Sequence, residues 1–111
     1  FRYLGDQNVN VELKTISAPE THYESLLDFF EQSLAHEQKM TGCLNELSDF
    51  AFHEKDHATY NLLQWYVTEQ VEEEAAVIQI IDQIKIVGDS GLGLLTIDKD
   101  LASRSFIDPT V

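Results

Sequence analysis

Basic residues, cysteine, proline and glycine are all scarce in this chain of 111 residues. Seven lysines and arginines stand against 20 aspartates and glutamates, which gives a formal net charge of −13. Such a surface would repel nucleic acids and anionic membranes, so neither is an expected partner. Cys43 is the only cysteine, so no internal disulfide can form, and a reducing, cytoplasmic location is predicted.

Long apolar runs are missing as well, because no stretch of about 18 apolar residues is available to span a bilayer. The two prolines and five glycines leave long segments free of helix breakers. Apolar residues make up 43% of the chain, an ordinary share for a single globular domain. The acidic excess suits a protein that attracts cations, although it also serves solubility.

One long segment carries an apolar stripe at alternating spacings of four and three, which is one face of a helix. The stripe consists of Thr59, Leu63, Tyr66, Gln70, Glu73, Val77, Ile80, Ile84 and Val87. Gln70 and Glu73 interrupt it with oxygen-bearing side chains, and Glu69 and Glu72 lie beside them. The segment has no lysine or arginine before Lys85, and a buried carboxylate is costly without a positive partner. A bound metal cation would supply that charge.

A second stripe predicts another long helix before it. Its positions are Leu26, Phe30, Ser33, Glu37, Met40, Leu44, Leu47 and Ala51. Ser17-x-x-Glu20 and Ser25-x-x-Asp28 both have the pattern of a capping box, and Ser25 is favoured because the stripe begins directly after it. Asp56 is predicted to cap the later helix. The short connection makes the two long helices antiparallel neighbours. If Glu37 and Glu73 both face the interior, they are close enough to share a metal site, whereas a different rotation of the helices would place them in solvent.

The ends of the chain have weaker patterns. Phe1 to Gly5 has the pattern of a helix end closed by a glycine cap, so the chain is expected to be a piece of a longer protein. Alternation at Val9, Val11 and Leu13 predicts an extended connection with one side against a core. A short apolar segment from Leu92 predicts a last helix.

Four segments carry a family resemblance. They are ISAPE at 16–20, HEQKMT at 36–41, EKDHATYN at 54–61 and LQWYVTEQVEEEA at 63–75. With these motifs the chain resembles bacterial non-haem ferritin, and the likeness extends over nearly its whole length.

The resemblance implies an all-α fold, a ferritin-like four-helix bundle with a long crossover and a short fifth helix, of which this chain holds the second half. The implied segments are the end of the second helix at 1–5, the crossover at 6–24, the third helix at 25–53, the fourth at 56–87, the fifth at 91–104 and a tail at 105–111.

The resemblance also implies an activity for the longer protein: oxidation of ferrous iron by oxygen or peroxide at a diiron carboxylate site. The ferric product would be stored as a mineral inside a homo-oligomeric cage of 24 subunits. Glu37, Gln70 and Glu73 match the family's iron ligands, and Glu69 and Glu72 match residues of an accessory third iron site. No haem is expected.

The chain departs from the family because the first-helix Glu and the second-helix Glu-x-x-His are absent. This polypeptide alone is therefore not expected to build a competent diiron centre, and a non-catalytic divalent-metal-binding or assembly role is a second interpretation. A third is a zinc hydrolase, because residues 53–57 match HExxH. Glu74 is expected in solvent, and solvated helix acids are the alternative for Glu69 and Glu72. Trp65 and Tyr66 are near enough to Gln70 to donate an electron during oxygen chemistry, although core packing is the default expectation for both.

Overall fold

The computed structural model describes residues 2–105, which form four helices and contain no strand. Their bounds are Arg2–Asp6 for α1, Leu26–His53 for α2, His57–Val87 for α3 and Gly91–Ala102 for α4. Within the described residues, no helix is both long and apolar enough to cross a membrane. Phe1 and residues 106–111, the latter being most of the predicted tail, lie outside the description.

Helix α2 begins at the cap that the sequence predicts. Ser25 has an extended backbone conformation, and its hydroxyl accepts a hydrogen bond from the backbone N–H of Asp28 at 3.0 Å. This bond satisfies one of the N–H groups that a helix start leaves without a partner. The helix ends where Lys55 adopts φ 60° and the Asp56 N–H reaches back to the Ala51 carbonyl, which is the pattern of a Schellman motif.

Helix α3 also starts at its predicted cap, Asp56. The carboxylate of Asp56 accepts hydrogen bonds from the backbone N–H of Thr59 at 3.2 Å and from its hydroxyl at 2.6 Å. These bonds, the one from the Thr59 side chain first, hold the pKa of Asp56 below its ordinary value. The Tyr3 hydroxyl lies 2.8 Å from the Thr59 hydroxyl, and because Thr59 gives its proton to Asp56, Tyr3 donates. This bond ties α1 to the start of α3.

The first helix does not end at Gly5, so the prediction of a glycine cap there is wrong. Helix α1 continues to Asp6, and Asn8 takes the left-handed conformation at φ 58°. Asn8 donates its N–H to the Gly5 carbonyl and Val9 donates to the Leu4 carbonyl. Asparagine tolerates this conformation better than most residues, so it can replace glycine at a helix end.

The connection between α1 and α2 runs over the surface. Among its apolar residues Val11 is half-buried, whereas Leu13 is 80% exposed and Ile16 is 91% exposed. The expected packing of one side against a core is therefore found only at Val11. The described residues provide no further helices against which Leu13 and Ile16 could pack.

The long helices pack antiparallel, and their contact includes about half of the positions in each predicted stripe, the rest being replaced by neighbouring residues. On α2, Met40 is 42% exposed and Leu47 is 49% exposed. Their neighbours Thr41 and Ser48 face α3 instead: Thr41 donates to Glu74, and Ser48 accepts a 2.8 Å hydrogen bond from Gln64. We call this contact the α2–α3 seam. Its positions are 27, 30, 34, 37, 41, 44, 48 and 51 on α2 and 63, 67, 70, 74, 77, 81 and 84 on α3, all half-buried or buried.

The predicted stripe on α3 combines two different faces. Leu63, Val77 and Ile84 are buried on the seam, as the periodicity predicts. Ile80 instead joins Ile84 and Ile97 in a cluster that includes a residue of α4. The seven-residue spacing of the seam is the repeat that keeps two long helices in continuous contact.

Helix α4 folds back along α3. Ile97 is 6% exposed and packs against Ile80 and Ile84, with Val87 and Leu101 at the edge of the cluster. Ser90 caps the helix by accepting from the Gly93 N–H at 3.2 Å. The close approach of α4 to α3 occurs at Gly93, where an added Cβ would lie 2.6 Å from the Val87 Cβ.

Gly93→Ala is therefore expected to destabilise the chain by about 1–3 kcal/mol, because Val87 is branched at Cβ and cannot move its nearest carbon out of the way. Gly91→Ala is the matched control, since a Cβ there meets nothing within 4 Å. Both changes add the same residue type to the first turn of α4. Thermal unfolding followed by circular dichroism should show a lower midpoint for Gly93→Ala only, and equal midpoints would contradict the close approach.

Candidate metal centre

The middle of the α2–α3 seam is polar, and it brings Glu37 and Gln70 together. Gln70 extends from α3 and donates from Nε2 to both the backbone carbonyl and the carboxylate of Glu37, each at 3.1 Å. Both residues are half-buried. The antiparallel packing places them opposite each other, because a residue late in one helix meets a residue early in its neighbour.

Two further residues belong to this polar group, although the sequence pattern indicates a site role for neither. Thr41 lies one turn after Glu37, and its hydroxyl is 3.0 Å from the Glu37 carbonyl and 2.9 Å from the Glu74 carboxylate. Gln70 also approaches the Thr41 hydroxyl at 3.3 Å. The expectation that Glu74 is solvated is wrong, since Glu74 is half-buried and bonded across the seam. Glu74 lies four residues after Gln70, so both side chains are on the same face of α3, and this spacing could have indicated that Glu74 belongs to the polar group.

The other predicted ligands lie outside this hydrogen-bonded group. Glu73 pairs with Arg104, just past the end of α4, at 3.7 Å, and the two side chains are 43% and 52% exposed. Glu69 is half-buried and Glu72 is exposed. Within residues 2–105, no group of three or more His, Cys, Asp or Glu side chains is close enough to hold a metal ion.

Trp65 and Tyr66 lie about one turn before Gln70 on α3. Their rings meet edge to face at 4.9 Å with an interplanar angle of 88°. Trp65 is 36% exposed and Tyr66 is 39% exposed. The two aromatic rings therefore pack against each other on a partly exposed face of α3, so the expectation that Trp65 and Tyr66 are core packing residues is wrong for the described residues.

The HExxH match at 53–57 does not form a zinc site of the hydrolase type. That motif needs both histidines on one face of a single helix. Here His53 is the last residue of α2 and His57 is the first of α3. Lys55 between them has φ 60°, which breaks the helix. The zinc hydrolase interpretation is therefore wrong.

The chemistry available at the seam is that of hard oxygen donors. Glu37 offers a carboxylate. The hydrogen bonds of Gln70 to α2 all come from its amide nitrogen, and among the described residues its amide oxygen accepts none. Carboxylate and amide oxygens suit divalent cations such as Mg²⁺, Ca²⁺ or Mn²⁺, and glutamates on facing helices of a bundle also bind iron or manganese. Two such donors are too few to hold a cation, so additional ligands are required from other side chains or from water.

Comparison with known families and proteins gives a consistent assignment. The family description "Ferritin-like domain" matches residues 1–87. A bacterial non-heme ferritin of Campylobacter jejuni is 44% identical over 97 residues, covering 87% of this chain and 58% of that protein. A bacterial non-heme ferritin of Escherichia coli O6:H1 is 42% identical over 103 residues, covering 93% of this chain and 62% of that protein. The chain thus spans roughly three fifths of the length of these curated relatives.

Solved structures agree with the sequence relatives. A form of the Archaeoglobus fulgidus ferritin engineered to be closed superposes with a TM-score of 0.88 at 39% identity, covering 96% of this chain and 65% of that one. The open-pore ferritin of the same archaeon superposes with a TM-score of 0.87 at 39% identity, covering 95% and 65%. The helical arrangement of this chain is therefore similar to the corresponding part of these ferritins.

Proposed function

The chain belongs to the ferritin-like family, and from this premise we propose that the whole protein binds ferrous iron, oxidises it and stores the ferric product. The all-α, ferritin-like fold expected from the resemblance is confirmed. The observation that carries the proposal is the contact between Glu37 and Gln70, a pair of oxygen-bearing side chains held across a helix seam that is otherwise mostly apolar.

A bound cation would relieve the repulsion between the carboxylates of the acidic region of α3. Glu69, Glu72, Glu73 and Glu74 follow one another closely on α3, and like charges so close on a helix repel one another. Glu73 forms an ion pair with Arg104, and both side chains are about half exposed. An exposed pair is worth roughly 0–1 kcal/mol, so a divalent cation can displace Arg104 at little cost.

The proposed roles rest on the resemblance to bacterial non-haem ferritin, and the contact between Glu37 and Gln70 supports the first of them. The Glu37 carboxylate and the Gln70 amide oxygen contribute to the iron site from the two sides of the seam. Glu73 lies one helical turn after Gln70 and serves a second ferrous ion, which makes the site dinuclear. Glu69 and Glu72 contribute to an accessory third site.

The proposed reaction needs little covalent chemistry from the protein. Two ferrous ions give up two electrons, which reduce oxygen to peroxide or peroxide to water, and the ions become ferric. Hydrolysis of each ferric ion releases protons and yields ferric oxyhydroxide. The carboxylates hold the two cations close together and favour the higher charge, while the redox change belongs to the metal.

The proposed assembly is a homo-oligomeric cage of 24 subunits that encloses the mineral. Several large apolar side chains are mostly exposed to solvent, among them Ile86 at 83%, Leu92 at 77% and Val71 at 66%. Exposed apolar residues of this number support further contacts with other helices or subunits. The second interpretation is a non-catalytic role, either divalent-metal binding, which lacks only the oxidation step, or assembly alone, which needs no metal.

Both steps can be measured on the protein expressed from its own gene. Anaerobic titration with Fe²⁺ is expected to show saturable binding, and admission of air is expected to produce ferric absorbance faster than in buffer without protein. Binding without faster oxidation would support the non-catalytic interpretation. Absence of saturable binding would contradict the proposed function altogether.

A further inference from the structure

The hydroxyl of Thr41 lies within hydrogen-bonding distance of three polar groups at the candidate site, which belong to Glu37, Glu74 and Gln70. The Glu37 carbonyl and the Glu74 carboxylate can only accept hydrogen bonds, at 3.0 and 2.9 Å. The Gln70 amide nitrogen can only donate, at 3.3 Å. A hydroxyl has one proton and two lone pairs, so Thr41 donates to an acceptor on one side and accepts from Gln70 on the other.

This arrangement determines which end of the Gln70 amide faces α2. The three α2 atoms within reach of Gln70 Nε2 are the Glu37 carbonyl oxygen, a Glu37 carboxylate oxygen and the Thr41 hydroxyl oxygen. With the amide rotated by 180°, its oxygen would face the two Glu37 oxygens, which have no proton to donate. The nitrogen is therefore held on α2, and the amide oxygen points away from it.

Glu74 strengthens this preference. Its carboxylate attracts the hydroxyl proton of Thr41, and a hydrogen bond to an ionised acceptor is stronger than one between neutral groups. With that proton directed at Glu74, the lone pairs of the hydroxyl remain available to the Gln70 nitrogen. A bond between Thr41 and Glu74 thus acts on Gln70 without either residue needing to touch a metal ion.

We propose that Thr41, supported by Glu74, is a positioning residue that acts together with the two Glu37 oxygens to fix the orientation of the Gln70 amide and so turns its oxygen toward the bound ferrous ion. The inference rests on the proposed function and deepens it, because it explains how a neutral amide becomes a ligand of defined direction. Groups that orient metal ligands through hydrogen bonds commonly change metal affinity by 10–100-fold when they are removed.

The test uses Thr41→Val, which removes the hydroxyl at nearly constant shape, and Thr41→Ser, which keeps it. The first measurement is NMR of the Gln70 side-chain NH₂ group in the metal-free protein. Thr41→Val is expected to shift this signal and to speed its exchange with water, and Thr41→Ser is expected to restore the wild-type behaviour. A side chain that only fills space would leave the NH₂ signal unchanged.

The second measurement is anaerobic titration with Co²⁺, a divalent probe that does not oxidise under these conditions. Thr41→Val is expected to bind Co²⁺ about 10-fold more weakly than wild type, and Thr41→Ser is expected to recover the wild-type affinity. Equal Co²⁺ affinity in wild type and Thr41→Val would overturn the positioning role and leave the proposed function standing. Failure of the wild-type protein to bind Co²⁺ or Fe²⁺ would overturn both.

Discussion

Replacement of Glu37 by alanine is expected to slow Fe²⁺ oxidation by more than the roughly 10–100-fold that loss of an orienting partner costs a metal site. The substitution removes a proposed ligand from the middle of the α2–α3 seam, and the remaining Gln70 oxygen is neutral. The Glu37 backbone carbonyl still accepts from Gln70 at 3.1 Å, so the contact between the helices persists. The rate is measured by stopped-flow absorbance of the ferric product, in the protein expressed from its own gene.

Glu46→Ala is the matched control for this substitution. Glu46 lies on the same helix and is exposed, so its loss removes the same charge at a position away from the seam. Circular dichroism and sedimentation are expected to show both variants folded and assembled as wild type. Oxidation by Glu37→Ala at the wild-type rate would remove Glu37 from the set of ligands, and an equal loss in both variants would indicate a general effect of net charge.

Local features of the fold were predictable from short sequence patterns. The caps at Ser25 and Asp56 follow from side chains that can accept a hydrogen bond from the first turn, and the structure contains both bonds. Such bonds depend on residues three apart in sequence and on nothing distant. The end of α1 was less predictable, because Gly5 and Asn8 can both accommodate a helix end, and the hydrogen bonds of the last turn decide between them.

The rotation of each long helix about its axis was not predictable in this way. Met40 and Leu47 are more apolar than Thr41 and Ser48, so hydropathy places them inside, yet the structure leaves them exposed. Thr41 and Ser48 face α3 because each finds a polar partner there. A hydrophobicity pattern does not reveal polar residues that are buried because they form hydrogen bonds with each other across an interface.

The candidate site was predictable only in part for the same reason. Glu37 and Gln70 stood out because they interrupt apolar stripes, and the structure brings them into contact. Glu74 appeared to be one more acid in a solvated run, since the stripe passed through its neighbour Glu73. The bond of Glu74 to Thr41 depends on the seam, so a prediction of that bond requires the correct rotation of both helices.

Replacement of Ile84 by alanine is expected to destabilise the chain by about 2–5 kcal/mol. Ile84 is 6% exposed and lies in a cluster with Ile80 of α3 and Ile97 of α4. Leu27 and Phe30 of α2 pack against the same cluster. One side chain therefore contributes to both helix contacts of α3, and its truncation leaves a cavity that neither neighbour can fill without separating from the other. Urea unfolding followed by circular dichroism measures the change.

Ile86→Ala provides the comparison, because Ile86 is on the same helix, two residues away, and is 83% exposed. Both substitutions exchange a β-branched residue for alanine in the last turn of α3, so both gain the same helix propensity, and their difference isolates burial. Ile86→Ala is expected to stay within about 0.5 kcal/mol of wild type. Similar midpoints for the two variants would mean that the cluster of Ile80, Ile84 and Ile97 does not hold α4 on α3.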